Sequence, residues 1–198
     1  LKPIQDAVGI ERINVCTYQS VSGAGKSAME ELAKQTADLL SSREITPEAF
    51  SRQIAFNAIP QIDVFMDNDY TKEEMKMSWE TKKIMGDDTI LVNPTAVRVP
   101  VFFGHGEAIH IETRQPIDAE EVKQLLANAP GVKVYETREE FPTQVSSASG
   151  NDEVHVGRIR NDITHPNGIN MWVVSDNIRK GAATNSVQIA ETLVRDYL

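Results

Sequence analysis

The stretches "VHVGRIR" (154–160) and "INMWVVSD" (169–176), joined through "HPNG", constrain the fold more than any other part of the chain. Residues 154–160 alternate strictly between apolar and polar, the mark of a half-buried strand. Asn167-Gly168 sits in or beside the turn, a pair common in tight reversals. The spacing predicts a β-hairpin. Hairpin partners are antiparallel, which disfavours a doubly wound, purely parallel sheet.

Other elements interleave with that hairpin. Residues 10–17 ("IERINVCT"), 61–66 ("QIDVFM") and 95–114 read as strands, the last interrupted by Pro100, Gly104 and Gly106. Residues 26–41 carry an apolar stripe of Met29, Leu32, Ala33, Leu39 and Leu40 at helical spacing. Thr71 with Glu74 three residues on is a capping box, so a helix is expected from Lys72 to about Met85. Residues 118–128, with Val122, Leu125 and Leu126, form another helix. Residues 178–197 close the chain as a helix with Val187, Ile189, Ala190, Leu193 and Val194 near one face. The stretch 42–58 reads as irregular. Leu1, Ile4 and Val8 look like the last turns of a helix begun earlier, so the chain is expected to start mid-protein. The fold class is α+β: a mixed, largely antiparallel sheet with helices packed on one face.

A length of 198 residues with 40% hydrophobic side chains can bury a full core, roughly two-thirds of its unfolded surface. The net charge of −9 gives no basic footprint for nucleic acid or an anionic membrane. No apolar run approaches the ~20 residues that span a bilayer. The opening "LKPIQDAVGIERI" lacks the apolar core of a signal peptide. The single cysteine cannot pair within the chain, which fits a reducing, cytoplasmic compartment.

Chemistry first suggests itself at "CTYQSVSGAGKS", residues 16–27. Gly25-Lys26-Ser27 imitates a phosphate-gripping loop, but that motif needs a glycine five residues before Gly25, where Ser20 stands. Gly23-Ala24-Gly25 still opens a helix with bare N–H groups, either a tight turn or a resting place for an anion or cofactor. Cys16 lies within an apolar strand and reads as a small core side chain rather than a nucleophile. The spacing of His105 and His110 is poor for shared metal ligation, and no metal site is expected. His105, flanked by Gly104 and Gly106, is either a surface loop histidine or a ring presented for catalysis. Arg98, in the apolar run "TAVRVPVFF", needs an anionic partner if buried. Arg158 and Arg160 alternate in the hairpin strand and are expected to line a polar face. Glu73 and Lys76 share a helix face and are ordinarily a solvated pair.

The segments "TYQSVSGAGKSAMEELA", "AFNAIPQIDVFMDNDYTKEEMKMSWETKKIM", "VRVPVFFGHGEAIHIET" and "MWVVSDNIRKGAATNSVQIAETL" resemble, in order, the aspartate-semialdehyde dehydrogenase family. The resemblance covers nearly the whole chain and implies the C-terminal catalytic and dimerisation region, residues 1–198. Residues 178–198 would then pack toward the family's nucleotide-binding domain. The family interconverts aspartate semialdehyde plus phosphate and 4-aspartyl phosphate with NADP, on the route to lysine, methionine and threonine. Its nucleophile is a cysteine in an Asn-Cys-Ser/Thr setting, expected shortly before Leu1. The resemblance implies that Gln19 orients the acyl group, Glu73 holds the substrate ammonium, Lys76 the phosphate and Arg98 the carboxylate. It implies His105 as general acid/base, and Ser22, Gly23 and Asn177 as NADP contacts. A homodimer is implied, inactive as the isolated chain. One geometric expectation follows. Residues seven apart on a regular strand face opposite sides, so the chain must break between Arg98 and His105 if both serve one site.

Overall fold

The structure, a computed structural model, describes all 198 residues. Helix α1 (Lys2–Val8) leads into β1 (Ile10–Gln19), a 3-10 turn (Val21–Ala24) and α2 (Lys26–Leu40). After an irregular stretch come α3 (Lys72–Met85), β2 (Leu91–Arg98) and β3 (His105–Thr113). Helix α4 (Ala119–Ala127), β4 (Val132–Val134) and a π-helical turn (Gln144–Ala148) follow. The hairpin β5 (Val154–Asn161) and β6 (Gly168–Ser175), a second π turn (Arg179–Ala183) and α5 (Thr184–Tyr197) complete the chain.

The strands form one six-stranded sheet in the order β2-β1-β3-β6-β5-β4. The pairings β1–β3, β3–β6 and β5–β6 are antiparallel, while β1–β2 and β4–β5 are parallel. The sheet is therefore mixed and largely antiparallel. One face is apolar. Ile13 of β1, Ile109 and Ile111 of β3, Ile169 and Met171 of β6 and Val156 of β5 pack there with Ile4 of α1 and Val122 and Leu126 of α4. Burying each such side chain is worth roughly 1.5–3 kcal/mol. A second cluster joins Ala28 and Leu32 of α2 to Val21, Ile54, Ala55 and Ile59. The capping box of α3 forms as expected, and Glu74 also accepts from Ala96 N–H at 2.9 Å. That bond fastens α3 to the open edge of β2.

Several sequence expectations are revised. Residues 61–66 make no strand. Just before that segment Ile59 bridges to Arg98, and within it only Phe65 forms an isolated bridge, to Thr71. Asp63 there has a φ of 68°, which breaks an extended backbone. The strict alternation of β5 also breaks. Register shifts between Gly157 and Arg160, Arg158 adopts a φ of 56°, and His155, Val156 and Gly157 are buried in succession. Both faces are covered at that point, so no polar residue is needed between apolar ones. Cys16 is a half-buried thiol on the face opposite the core, not a core side chain. Beyond the register shift at Ile10–Arg12, the odd-numbered residues of β1 from Ile13 onward point into the core and Cys16 points the other way. The closing helix begins only at Thr184, after the π turn, and buries no side chain.

Candidate active site

The apolar face of β1 changes character toward its end. Ile13 and Val15 pack in the core, and Thr17 and Gln19 follow on the same side. Register places Gln19 opposite Arg98 of β2 on one flank and opposite His105 of β3 on the other. His105 in turn stands opposite Ser175 of β6. A row of polar side chains therefore crosses four strand ends. The expected break is present: β2 ends at Arg98, β3 begins at His105, and Gly104 between them has a φ of 83°. Arg98 and His105 lie on different strands with β1 between them, so seven residues of separation no longer oppose them.

Ser20 holds the row together. Its N–H donates to His105 Nδ1 at 3.2 Å, and its hydroxyl lies 3.3 Å from the same nitrogen. Its carbonyl accepts from Arg98 Nη1 at 2.7 Å. With Nδ1 an acceptor, the neutral ring carries its proton on Nε2. Burial, with the Arg98 charge in support, lowers the His105 pKa to about 4 against the opposing pull of the Gly104 backbone, Glu73 and Asp176. Sequence reasoning met Ser20 only as the residue that spoils a phosphate loop. Its role depends on contacts 85 and 78 residues away, which no local pattern reveals.

Arg98 is 6% exposed and makes no ion pair in this chain. Burial lowers its pKa, and Glu73 offsets part of that. A buried guanidinium bonded to one carbonyl keeps most of its five donors for another partner. Glu73 lies in the first turn of α3. It accepts from Gln19 Nε2 at 3.2 Å and from Lys76 Nζ at 3.0 Å. Burial pushes its pKa up, but hydrogen bonds from Lys76 and Gln19 and the charges of Lys76 and Arg98 outweigh it, so the net shift is downward. The hydrogen bond that Lys76 donates to Glu73 is the largest cause raising the Lys76 pKa. Glu73 thus touches the row through Gln19, while Lys76, with its side chain 44% exposed, reaches it only through Glu73.

Asn177 closes the other flank. Its Oδ1 accepts from Gly104 N–H at 2.9 Å, Ser20 Oγ at 3.2 Å and Ser22 Oγ at 3.3 Å. Gly23 lies over the row: a Cβ there would stand 3.2 Å from Arg98 Nη1 and 3.5 Å from His105 Nε2. Only glycine leaves that approach open. The structure thus gathers Gln19, Ser22, Gly23, Glu73, Lys76, Arg98, His105 and Asn177 around one row. Other candidates stand apart. Lys26 is an exposed side chain near Glu30. His110 bonds Asp162 at 2.7 Å on the opposite face, His155 lies beside Tyr135, and His165 is in the hairpin turn. Arg158 and Arg160 line a cavity of about 540 Å³ with Trp172 on that opposite face. No group of three or more His, Cys, Asp or Glu is placed to hold a metal, and no helix is long and apolar enough to cross a membrane.

The chain belongs to the semialdehyde dehydrogenase family. Residues 1–180 match the family described as "Semialdehyde dehydrogenase, dimerisation domain". The chain is 67% identical over its whole length to an aspartate-semialdehyde dehydrogenase of Shewanella sp. strain DB6705 and spans 58% of that relative. It resembles the crystal structure of aspartate semialdehyde dehydrogenase II from Vibrio cholerae complexed with ASA, with a TM-score of 0.97, 66% identity, and coverage of 99% of this chain and 58% of that one. The enzyme from Candida albicans, solved with NADP, is similar at a TM-score of 0.70 and 27% identity, over 96% of this chain and 52% of that one.

Proposed function

We propose that this chain is the substrate-binding and dimerisation part of a longer, cytoplasmic, homodimeric aspartate-semialdehyde dehydrogenase. The reaction joins aspartate semialdehyde, phosphate and NADP to 4-aspartyl phosphate, NADPH and a proton, and it serves lysine, methionine and threonine synthesis. The observation that carries this reading is the buried, unpaired guanidinium of Arg98 beside the row. Such a cation requires an anion, and a substrate carboxylate supplies one in bidentate geometry. Glu73, held ionised, receives the substrate ammonium. Lys76 provides the cation for phosphate, and Gln19, between Arg98 and His105, orients the acyl group.

His105 is neutral at physiological pH, with Nδ1 occupied by Ser20 N–H. Its Nε2–H faces the space under Gly23, where it can give a proton to a reacting group and take it back; as a base toward a nucleophile the ring must first shift its proton to Nδ1 and release the Ser20 N–H. Ser22, Gly23 and Asn177 would hold NADP. The missing Cβ of Gly23 fits the close approach of a flat ring, and Asn177 fixes the neighbouring loop. When bound, NADP supplies the hydride acceptor. The nucleophilic thiol must come from outside these 198 residues, because Cys16 faces away from His105 on the other side of the sheet. Helix α1 runs in the same direction as β3. Its end is joined to Arg114 and Gln115, and its start lies near Glu107. Chain preceding Leu1 in the same direction heads toward His105. The isolated chain is accordingly an inactive dimerisation and substrate-binding module.

The test measures NADP reduction with aspartate semialdehyde and phosphate, using both the 198-residue chain and the longer protein. Turnover is expected from the longer protein alone. Turnover by the isolated chain would sink the assignment of the nucleophile, and none from the longer protein would sink the reaction. In the longer protein, His105→Ala is expected to lower kcat by about 10²–10⁴. Arg98→Lys is expected to raise KM by about tenfold or more with a smaller change in kcat, since lysine lacks the planar fork.

A further inference from the structure

The corner that carries His105 is clamped from two sides. Asn177 Oδ1 takes the N–H of Gly104, and Gln144 Nε2 donates to the carbonyl of Gly104 at 2.6 Å. The same Gln144 nitrogen donates to the carbonyl of Tyr18 at 2.9 Å. Gly104 immediately precedes His105, and Tyr18 immediately precedes Gln19. An amide nitrogen carries two hydrogens, so each carbonyl receives one. The ladder between β1 and β3 ends with the pair Gln19–His105. Gly104 lies one residue beyond it, in the left-handed region, where no strand pairing holds it. The Gln144 side chain spans the gap as an added rung.

Gln144 is itself held firmly. It opens the π turn, in which Thr143 Oγ1 accepts from Ser146 N–H at 3.0 Å and Thr143 N–H donates to Ser147 Oγ at 3.1 Å. Trp172 Nε1 donates to the carbonyl of Pro142 at 3.0 Å. The turn presses on the corner: a Cβ at Gly104 would meet Gln144 O at 3.1 Å and Ala148 Cβ at 3.2 Å. Wide turns of this kind recur at functional sites.

We propose that Gln144 is a positioning residue for the reaction, fixing the separation and aim of Gln19 and His105 by bonding the peptide groups that precede them. It touches no substrate and acts through those two residues. The inference rests on the dehydrogenase reading for its kinetic consequence, but not for its structural one.

The test uses the longer protein and two variants. Gln144→Met keeps length and removes both donors, and Gln144→Glu keeps shape and sets a carboxylate against two carbonyls. The expected result is a kcat lowered about ten- to a hundredfold, with KM for the semialdehyde changed less than about threefold because Arg98 is untouched. The imidazole of His105, followed by NMR, faces Arg98, Glu73 and Asp176. Its titration is expected to move up from about 4 toward 6.5 as the corner loosens and admits water. Val145→Ala, an exposed neighbour in the same turn, should match the wild type in every measurement. Wild-type kcat and wild-type His105 titration in the Gln144 variants would overturn the proposal, even if the melting temperature fell. If the wild type turned over no semialdehyde, the reaction assignment would fail, and the His105 titration would still decide the clamp.

Discussion

His105, half-buried, and His155, buried, are imidazoles that resist protonation in the folded state. Burial is the first cause in each. His155 is 3% exposed, its Nε2 has no partner, and only the Tyr135 hydroxyl reaches Nδ1, at 3.3 Å. The unfolded chain protonates both near 6.5, whereas folded His105 holds out to about 4. Between those values the unfolded state binds more protons, so stability rises with pH across that window and is lost as pH falls through it. The expected outcome is a flat unfolding free energy above about pH 7 and a decline toward pH 4, with His105 contributing up to about 3 kcal/mol. Denaturant titrations at a series of pH values check this. His105→Asn should flatten part of the decline, and an unchanged slope would remove His105 as its source. Below that window Asp87, Asp152 and Asp162, each held near 2 chiefly by hydrogen bonds, add their own acid sensitivity. The sequence places glycines around His105 but contains no local sign of its burial, because that burial is made by residues as distant as Ser20 and Asn177.

At the scale of elements, local chemistry predicts best where the forces are local. Thr71 and Glu74 announce the start of α3, and the structure returns the helix at Lys72–Met85. Thr71 N–H donates to Glu74 Oε2 at 2.7 Å, and Thr71 Oγ1 accepts from Glu74 N–H at 3.3 Å. Because this box is buried and aims Glu73 at Gln19, Thr71→Ala is expected to cost about 1–2 kcal/mol in urea unfolding. A loss under about 0.5 kcal/mol would mean that tertiary packing alone sets the start of the helix. The segment 61–66 shows the opposite case. Its apolar letters suggest a strand, yet Val64 and Phe65 are 61% exposed and Asp63 turns the backbone. An apolar run reads the same whether it faces a core or an uncovered surface. The bulge at Gly157–Arg160 escaped the pattern for a related reason: alternation in letters assumes one covered face, and the segment around Pro142 covers the second.

For the whole molecule, the chain ends in a helix with its apolar side bare. Val187, Ile189, Leu193 and Val194 are each at least half exposed. We propose that this face packs toward a nucleotide-binding part of a longer protein, since the chain spans only 58% of the Shewanella relative. Leu193→Glu should then leave the melting behaviour of the 198-residue chain within about 0.5 kcal/mol of wild type. In the longer protein the same change should cost about 2 kcal/mol or more. An equal effect in both, or none in either, would contradict that packing.

The sequence by itself determined the hairpin, the helices and the α+β class of this protein, because period, caps and turn residues act over a few neighbours. It also carried the family resemblance. Only the tertiary structure decided that Arg98, Gln19 and His105 form one row, that Ser20 joins the outer two, that Gln144 braces the corner and that Cys16 faces away. Those outcomes depend on strand register, which is set by burying a shared apolar face across segments more than 80 residues apart, and a one-residue slip would have turned each side chain to the other side.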